Sequence, residues 1–256
     1  MHCRKTHRRA RKLTNGDIYD LSFWTKKLDH YKGLVIKADL RLHTQIAERL
    51  ARLQPAPARV LDFGAGEGAL SYRLADAGYE VTAVDIDEKS YKCPAAKFVP
   101  LDFNNKAAVD AFVAAHQNQF DVVLGIEVIE HIESPWEYVR SLVSMLRPGG
   151  IILITTPNIT SWMSRFRFLF WGRFQHFGDA QLSYGHIAPI SPWELELVLK
   201  RSNLKEVTVT SAGTLPPIFI TGLNLGLLAN LFMLPFRPFM KGLVDGWCIM
   251  ATGRKP

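Results

Sequence analysis

The sequence predicts a doubly wound α/β fold, on three observations. Short apolar segments alternate along the chain with segments of helical periodicity. The apolar segments show no polar alternation, which is typical of parallel strands covered by helices on both faces. Polar residues stand where four of these strands end, at Asp62, Asp85, Asp102 and Glu127. Because right-handed crossovers bring the carboxyl ends of parallel strands to one edge, we expect these side chains to lie at the ligand-binding edge of the sheet.

The individual elements can be predicted in order along the chain. A helix over residues 38–53 ends at a proline-rich break. The strands that follow are expected at 58–64, 79–87, 96–103, 120–126, 151–157, 205–213 and 246–255. Helices are expected at 68–78 and 106–117, then from Pro135 with Ser134 as N-cap, and from Pro192 with Ser191 as N-cap. The segment RPGG (147–150) is predicted to turn the chain into the fifth strand.

Composition and charge narrow the class of protein. With 256 residues, 48% of them hydrophobic, the chain can bury the core of one large domain. Its three cysteines are far apart (Cys3, Cys93, Cys248), which favours a reducing compartment and excludes a disulfide framework or a thiolate zinc site. We therefore expect a cytoplasmic protein.

The net charge of +7 is concentrated at the start of the chain. Residues 1–12 hold six Lys and Arg, so the remainder is nearly neutral. This tail is expected to be solvated and disordered, although such a tail could also bind anionic lipid or nucleic acid. No apolar stretch follows it, so it is not predicted to be a signal peptide.

A glycine-rich turn follows the first strand of the predicted sheet. LDFGAGEGAL places Gly64, Gly66 and Gly68 between a strand and a helix, where the backbone can approach a ligand and helix N–H groups face it. Asp85 ends the next strand about 20 residues on, where a carboxylate can accept both hydroxyls of a ribose. Gly64, Gly66 and Ala69 also satisfy the dinucleotide fingerprint. At this point an NAD-dependent oxidoreductase therefore remains an alternative.

Three further features separate the alternatives. Asp62 precedes the glycines in a D-x-G-x-G-x-G pattern, Asp102 and Phe103 follow the third strand, and LRPGGIILITTPN follows the fourth helix. Together these features resemble the class I S-adenosylmethionine-dependent methyltransferases over residues 58–210. FDVVLGIEVIEHIESP and LRPGGIILITTPN are most similar to the ubiquinone-biosynthesis O-methyltransferase group. The resemblance implies a Rossmann-like sheet of seven strands, six parallel and the seventh antiparallel, with S-adenosylmethionine as cofactor.

The resemblance also implies residue roles around that cofactor. Gly64, Ala65 and Gly66 would line its methionine part, and Asp62 would act near the methionyl ammonium. Asp85 would hold the ribose with Ile86 beside the adenine, Asp102 and Phe103 would contact the adenine, and Ile126 and Glu127 would close the pocket.

The segment EVIEH (127–131) places two carboxylates and an imidazole at i, i+3 and i+4, which would share one face of a helical turn. In one interpretation His131, with Glu130, is the general base for a hydroxyl acceptor. In a second, Glu127, Glu130 and His131 hold Mg²⁺, Mn²⁺ or Zn²⁺, with His186 as the later histidine and His176 as second choice. That arrangement is implied by similarity to ubiquinone and small-RNA 2′-O-methyltransferases. In a third, the segment is a polar rim in which His131 caps neighbouring backbone.

The remaining segments suggest how the single domain is organised. We expect a helical cover at 13–57, a cofactor-binding core at 58–157, a substrate cover with strand six at 158–210, an apolar insert at 211–245, and strand seven at 246–256. Residues 161–177 are dense in aromatics interleaved with arginines, and 207–236 contain no Asp, Glu, Lys or Arg.

These two segments predict contact with a membrane surface through 160–177 and 215–240, or roofing of a lipophilic acceptor pocket. A lid packed on the core and burial against a partner subunit are the competing explanations. A membrane span is not expected, because the strands that flank the insert must return to one sheet.

The predicted function is therefore O-methylation of a small lipophilic, quinone-like or lipid-linked glycan acceptor. An RNA 2′-O-methyltransferase and a non-catalytic S-adenosylmethionine-binding subunit are the alternatives, and nucleic acid is not the expected partner. The sequence does not predict an oligomeric state.

Overall fold

The computed structural model describes residues 30–39, 41–213, 228 and 231–256. The basic tail at 1–12 and residues 214–227 of the predicted apolar insert lie outside the described residues.

The described residues alternate between strands and helices, as the apolar pattern predicts. The strands are β1 (His30–Tyr31), β2 (Leu34–Val35), β3 (Arg59–Phe63), β4 (Glu80–Asp85), β5 (Lys97–Pro100), β6 (Phe120–Ile126), β7 (Leu146–Pro157), β8 (Lys205–Ala212) and β9 (Cys248–Arg254). The α-helices are α1 (Leu42–Leu53), α2 (Ala69–Asp76), α3 (Lys106–Ala115), α4 (Pro135–Met145), α5 (Trp162–Trp171), α6 (Asp179–Leu182) and α7 (Pro192–Arg201). Short 3₁₀ turns lie at Ile129–His131 and Leu234–Phe239.

Seven strands form one sheet in the order β5-β4-β3-β6-β7-β9-β8. Neighbours from β5 through β7 are parallel, and β9 is antiparallel to both β7 and β8. Six strands therefore run one way and the last runs the other, in agreement with the prediction. The chain order reverses between β3 and β6, and ligands bind at the carboxyl ends of such a pair.

Alternate residues of the central strands pack into different layers. On one face Leu61 and Phe63 pack with helices α3, α4 and α7, and on the other Val60 packs with α1, α2 and α5. Covering both faces explains why the strands are apolar without alternation. It leaves the strand ends as the place where polar residues of this sheet can meet a ligand.

The N-terminal cover and the fifth strand of the sheet differ from prediction. The helix expected from residue 38 begins at Leu42, and a two-stranded hairpin, β1–β2, precedes it within the segment expected to be helical. Strands of two residues are too short to show a hydrophobic period, so the pattern could not reveal them. RPGG is not simply a turn before the strand but lies within β7, with an irregular register between Phe120 and Val122.

The substrate cover and the insert both start at the edge of the sheet that carries the strand carboxyl ends. Helix α5 begins shortly after Pro157 at the end of β7, with Ser161 as its N-cap. The insert leaves from Ala212 and returns at Cys248, which are paired across β8 and β9. Because β8 runs parallel to β7, this departure point lies at the same edge.

Candidate active site

The glycine turn after β3 is hydrogen-bonded to β4, and one of its glycines, Gly66, has free space beside it. The N–H groups of Gly64 and Ala65 donate to the Val84 carbonyl at 2.8 and 3.0 Å. A Cβ on Gly64 would lie 2.3 Å from Val128 Cγ2, whereas a Cβ on Gly66 would meet nothing within 4 Å. Gly64 is therefore required by packing, and Gly66 faces the space in which a ligand can approach the backbone.

Asp85 is positioned by the turn that it faces. Its Oδ2 accepts from the Gly66 N–H at 2.8 Å and its Oδ1 accepts from the Asp87 N–H at 3.2 Å. The carboxylate is half-buried at the end of β4, and the adjacent Ile86 is 58% exposed. The two side chains occupy the edge where the sequence places a ribose and an adenine.

Asp62 lies beneath the turn and not on its open side. It is 1% exposed, and its Oδ2 accepts from Ser71 Oγ at 2.6 Å. Burial raises the pKa of Asp62 to about 6, although the hydrogen bond from Ser71 opposes the shift. Its role near a methionyl ammonium stays a prediction, and the structure adds Ser71 as its partner on α2.

Asp102 and Phe103 follow β5 at the same edge. Asp102 is exposed, and its Oδ1 accepts from the Asn104 N–H at 2.9 Å. The Phe103 ring stacks on Phe63 with centroids 4.4 Å apart and an interplanar angle of 18°. One face of Phe103 therefore packs on the core, so an adenine could lie only against the opposite face.

The EVIEH segment does not form the single helical turn that its spacing predicts. Ile126 is buried at the end of β6, and Glu127 has a φ of +54°, outside the 3₁₀ turn of residues 129–131. The Glu127 N–H donates to the carbonyl and to Oγ1 of Thr155, each at 3.2 Å. This left-handed residue turns the chain sharply at the strand end, so the Glu127 side chain does not share one helical face with those of the 3₁₀ turn.

The Glu127 carboxylate faces the antiparallel strand. Cys248 Sγ lies 3.5 Å from Oε2, and Oε1 is buried without a hydrogen-bond partner. Burial raises the pKa of Glu127 to about 7, with the hydrogen bonds to Thr155 and Cys248 opposing this and the charge of Asp39 adding to it. Glu127 therefore lies outside the metal-ligand group in which the sequence placed it.

Glu130 is fully buried, and only one of its two carboxylate oxygens has a hydrogen-bond partner. Its Oε2 accepts from Thr156 Oγ1 at 3.1 Å, while its Oε1 has no hydrogen-bond partner. Burial, followed by repulsion from Glu127, raises the pKa of Glu130 well above its usual value. The Glu130 carbonyl accepts from the N–H groups of Ile187 and Ala188 at 2.9 and 3.0 Å. These two bonds hold the loop that carries His186 against the site.

The structure brings Glu130, His131 and His186 together. One ligand atom from each lies within 4.8 Å of the others, and the two imidazole rings are edge-to-face at 4.8 Å. His186 Nδ1 is 3.0 Å from the His176 carbonyl. Since a carbonyl only accepts, that nitrogen carries the hydrogen, and in the neutral ring Nε2 holds the lone pair. His176, the second choice for a ligand, thus acts here through its backbone.

His131 has the electrostatics of a neutral imidazole. It is half-buried, and burial lowers its pKa, whereas hydrogen bonds with the backbone of Gly185, Tyr184 and Glu127 act in the opposite direction. These backbone contacts match the polar-rim interpretation, and the lowered pKa matches that of a base.

Sequence reasoning missed the partners of the acidic residues. Thr155 and Thr156 contact the EVIEH segment from the end of β7, and Cys248 reaches it from β9. The two threonines could have been found by extending the strand-end rule to ITTP, because they lie at the edge already singled out. Cys248 carries no such signal, since its contact depends on the antiparallel return of the last strand.

The fold and this strand-end site define a class I S-adenosylmethionine-dependent methyltransferase domain. A model of the methyltransferase domain family matches residues 38–209, more than half of the chain. The chain belongs to that family, whose cofactor is S-adenosylmethionine, and the resemblance seen in the sequence is confirmed.

Curated relatives are similar over about 40% of the chain. The ubiquinone biosynthesis O-methyltransferase of Caulobacter vibrioides is 40% identical over 104 residues, covering 40% of this chain and 41% of that protein. The protein of the same name from Xanthomonas axonopodis pv. citri is 37% identical over 114 residues, covering 43% of this chain and 47% of its own. The chain thus spans less than half the length of these relatives.

Solved structures share the fold. A SAM-dependent methyltransferase from Archaeoglobus fulgidus has a TM-score of 0.56 at 18% identity, covering 83% of this chain and 94% of that one. Phosphoethanolamine N-methyltransferase 2 of Haemonchus contortus, in complex with S-adenosylmethionine, has a TM-score of 0.55 at 14% identity, covering 95% and 57%. At these identities the similarity concerns the fold alone.

Proposed function

We propose that this protein transfers the methyl group of S-adenosylmethionine to a hydroxyl of a small lipophilic acceptor, of quinone-like or lipid-linked glycan character. The observation that carries the proposal is the convergence of Glu130, His131 and His186 within 4.8 Å at the carboxyl end of β6, beside the predicted cofactor pocket. A hydroxyl acceptor must lose a proton in order to attack, and this group of side chains can take it up.

The reaction is an in-line displacement. The acceptor oxygen bonds to the methyl carbon, the carbon–sulfur bond breaks, and its electron pair stays on sulfur in S-adenosylhomocysteine. The acceptor proton goes to His131, which is neutral near pH 7 because its pKa is lowered. Glu130 lies beside it with a raised pKa; the imidazolium that forms would favour the ionised form of its carboxyl group, and that carboxylate would stabilise the imidazolium charge.

The same residues fit a divalent cation. Glu130 offers a buried oxygen without a partner, and His131 and His186 offer imidazole nitrogens. These three residues would hold Mg²⁺, Mn²⁺ or Zn²⁺, which would acidify an adjacent hydroxyl. The fixed tautomer of His186 supports this second version, because a backbone carbonyl on the remote nitrogen is typical of metal-ligating histidines.

The test is methyl transfer from labelled S-adenosylmethionine to a catechol that carries a short prenyl chain. For His131→Ala we expect about a 100-fold or greater loss of kcat, with S-adenosylhomocysteine affinity unchanged within about threefold. Wild-type kcat should rise with pH and level off below pH 6.5, because a base with a lowered pKa is already deprotonated there.

Controls separate the alternatives. Dialysis against EDTA should leave activity intact if His131 is a base, and should remove activity that Mn²⁺ restores if the cation version holds. If kcat is unchanged in His131→Ala, His131 is not the base, and the polar-rim interpretation of the EVIEH segment is the one that holds. Cofactor binding without turnover on this acceptor or on RNA would favour a non-catalytic subunit, and turnover on RNA alone would move the acceptor class to nucleic acid.

A further inference from the structure

The end of α5 and the end of the insert expose large apolar side chains that the proposed chemistry does not use. We call this surface the aromatic tip. It consists of Phe168, Leu169, Phe170, Trp171, Leu231, Phe232, Leu234, Phe236 and Phe239, each between 45% and 83% exposed.

The two segments form one surface although they are far apart in sequence. The Phe232 ring lies 6.0 Å from that of Phe166 and 6.2 Å from that of Phe170, and it also contacts Phe236 at 5.5 Å. Side chains of this size and exposure add up to roughly 900 Å² of apolar surface, above the largest patch of roughly 300–600 Å² on a typical monomer. A surface of this extent indicates something that covers it.

The exposed fraction of the α5 side chains increases from the start of the helix to its end, and at the end it is high on every side of the helix. Trp162 and Met163 at its start are 1% and 5% exposed, whereas Phe168 and Leu169 are 48% and 72% exposed. Residues 168–171 are consecutive, and successive helix residues point about 100° apart, so their side chains surround the helix. A protein partner with one binding face would cover only part of such an end, while a lipid phase surrounds every side of it.

The charges near the aromatic tip have a single sign over long stretches. No Asp or Glu occurs between Glu137 and Asp179, or between Glu206 and Asp245. The cations beside the apolar side chains are Arg165, Arg167, Arg173, Arg237 and Lys241. Arg173 and Arg237 pair with the acids that close the two stretches, Asp179 and Asp245. This arrangement is complementary to the negative surface of a bilayer that contains anionic lipid.

Both segments of the aromatic tip are connected to the edge of the sheet that carries the site. Helix α5 follows the carboxyl end of β7, and the insert leaves at the carboxyl end of β8. Over the described ranges, no helix has the length and apolarity needed to cross a bilayer. Contact at the interface, with aromatic side chains at the headgroup level, is the geometry that fits.

We propose that the aromatic tip docks on the surface of an anionic lipid bilayer and turns the strand-end site toward the membrane. A lipophilic acceptor could then enter without crossing water. The acceptor half of this statement rests on the proposed function, whereas the docking itself does not and can be measured without any acceptor.

The experiment is co-sedimentation of the full chain with two kinds of vesicle. One is phosphatidylcholine alone, and the other contains about 30 mol% phosphatidylglycerol, which gives it a negative surface. The variant is Leu169→Glu with Phe239→Glu, because these side chains are 72% and 83% exposed and their loss costs little packing. The matched control is Trp193→Glu, which is 72% exposed but outside the aromatic tip. Unchanged S-adenosylhomocysteine affinity and thermal midpoint verify the fold of each variant.

We expect wild type and Trp193→Glu to bind anionic vesicles, and the double variant to bind at least about tenfold more weakly, also at 0.5 M NaCl, where purely electrostatic binding by a basic tail is screened (about 4 Å Debye length). Equal binding of wild type and double variant would overturn the proposal, as would the absence of vesicle binding. A wild-type dimer that the double variant converts to monomer, without a change on vesicles, would instead assign the surface to a second copy of this chain.

Discussion

The Gly66 N–H donates a hydrogen bond to Oδ2 of Asp85 at 2.8 Å, so the glycine turn and the acid at the end of the next strand are joined within the protein itself. Asp85 therefore holds the turn in place, and the sequence predicts a second task for it, which is to bind the ribose. Substitutions of this one residue can separate the two tasks.

For Asp85→Ala we expect S-adenosylhomocysteine affinity to fall about 100-fold, since charge-assisted hydrogen bonds contribute about 1.5–3 kcal/mol and the turn also loses its acceptor. Asp85→Asn keeps one oxygen for the Gly66 N–H and should lose only about 10-fold. Isothermal titration measures both. Asp87→Ala is the control, because that exposed carboxylate bonds to Ser90 and should change affinity less than about threefold. Equal losses at the two positions would remove Asp85 from the ribose site.

Gly66→Ala tests whether the open space beside the glycine turn belongs to the cofactor. A Cβ there meets nothing in the protein, and the positive φ of 56° costs about 1 kcal/mol for a non-glycine residue. The variant should fold with slightly reduced stability, yet lose S-adenosylhomocysteine affinity by at least about tenfold because the methyl group enters the ligand space.

Gly149→Ala supplies the matched control for that measurement. It has a φ of 77° and equally open surroundings, but lies in the RPGG segment, away from the strand carboxyl ends. Both variants should show a similar small loss in urea unfolding, and only Gly66→Ala should lose affinity. If Gly66→Ala binds as tightly as wild type, the cofactor does not pass over this turn.

Asp62→Asn should stabilise the protein at neutral pH. The pKa of Asp62 is raised from 3.8 to about 6, so the folded state holds a proton that the unfolded state releases between these values. Wild-type stability therefore falls as pH rises from 3.8 to 6, by up to about 3 kcal/mol, and this loss is absent from the neutral amide. Urea unfolding at pH 4.5 and 7.5 should show the gain of Asp62→Asn mainly at pH 7.5.

The comparison residue for Asp62 is Asp76, whose pKa is lowered by hydrogen bonds from Lys32 and Tyr31. Asp76→Asn should act with the opposite sign, since its contribution is present above its unfolded pKa and is lost as pH falls. A gain for Asp62→Asn that did not depend on pH would show that burial does not strain the ionised carboxylate. Weakened cofactor binding in Asp62→Asn would support its predicted role near the methionyl ammonium.

Much of the fold could be predicted because the central strands of the sheet are largely apolar and several strands are followed by a glycine or an acid. The segment Phe120–Ile126 matches its predicted bounds, and Ser134 and Ser191 cap their helices through the N–H groups of Glu137 and Glu194. These features depend on residues that are close together in the sequence, so a short segment is enough to predict them.

The candidate site was predictable in location but not in detail. The strand-end rule brought the acids to one edge, whereas the left-handed backbone of Glu127 and its contact with Cys248, 121 residues away, depend on how distant strands pack. The spacing of EVIEH predicted a shared face, and the turn at Glu127 removed one of its members. Periodicity describes side chains only while the backbone stays regular, and it fails where a strand ends sharply.

Thr156→Val asks whether Glu130 works in catalysis or only fills a buried position. Thr156 Oγ1 donates a side-chain hydrogen bond to Glu130 Oε2, and both residues are fully buried, so valine keeps the shape and leaves the Oε2 atom without this donor. We expect a loss of about 1–3 kcal/mol in unfolding free energy.

If Glu130 supports the chemistry of His131, kcat should also fall at least about tenfold while S-adenosylhomocysteine affinity stays constant. Thr252→Val is the control, because it breaks a partly buried hydroxyl pair with Thr208 on the far strands and should not change kcat. A pH–rate profile adds a readout that a packing defect would not move: loss of the Thr156 donor raises the pKa of Glu130 further, so less carboxylate stabilises the imidazolium, the pKa of His131 falls, and the plateau should begin at lower pH. Thr156→Val with wild-type kcat and an unshifted profile would leave Glu130 as a structural residue and His131 without its neighbouring acid.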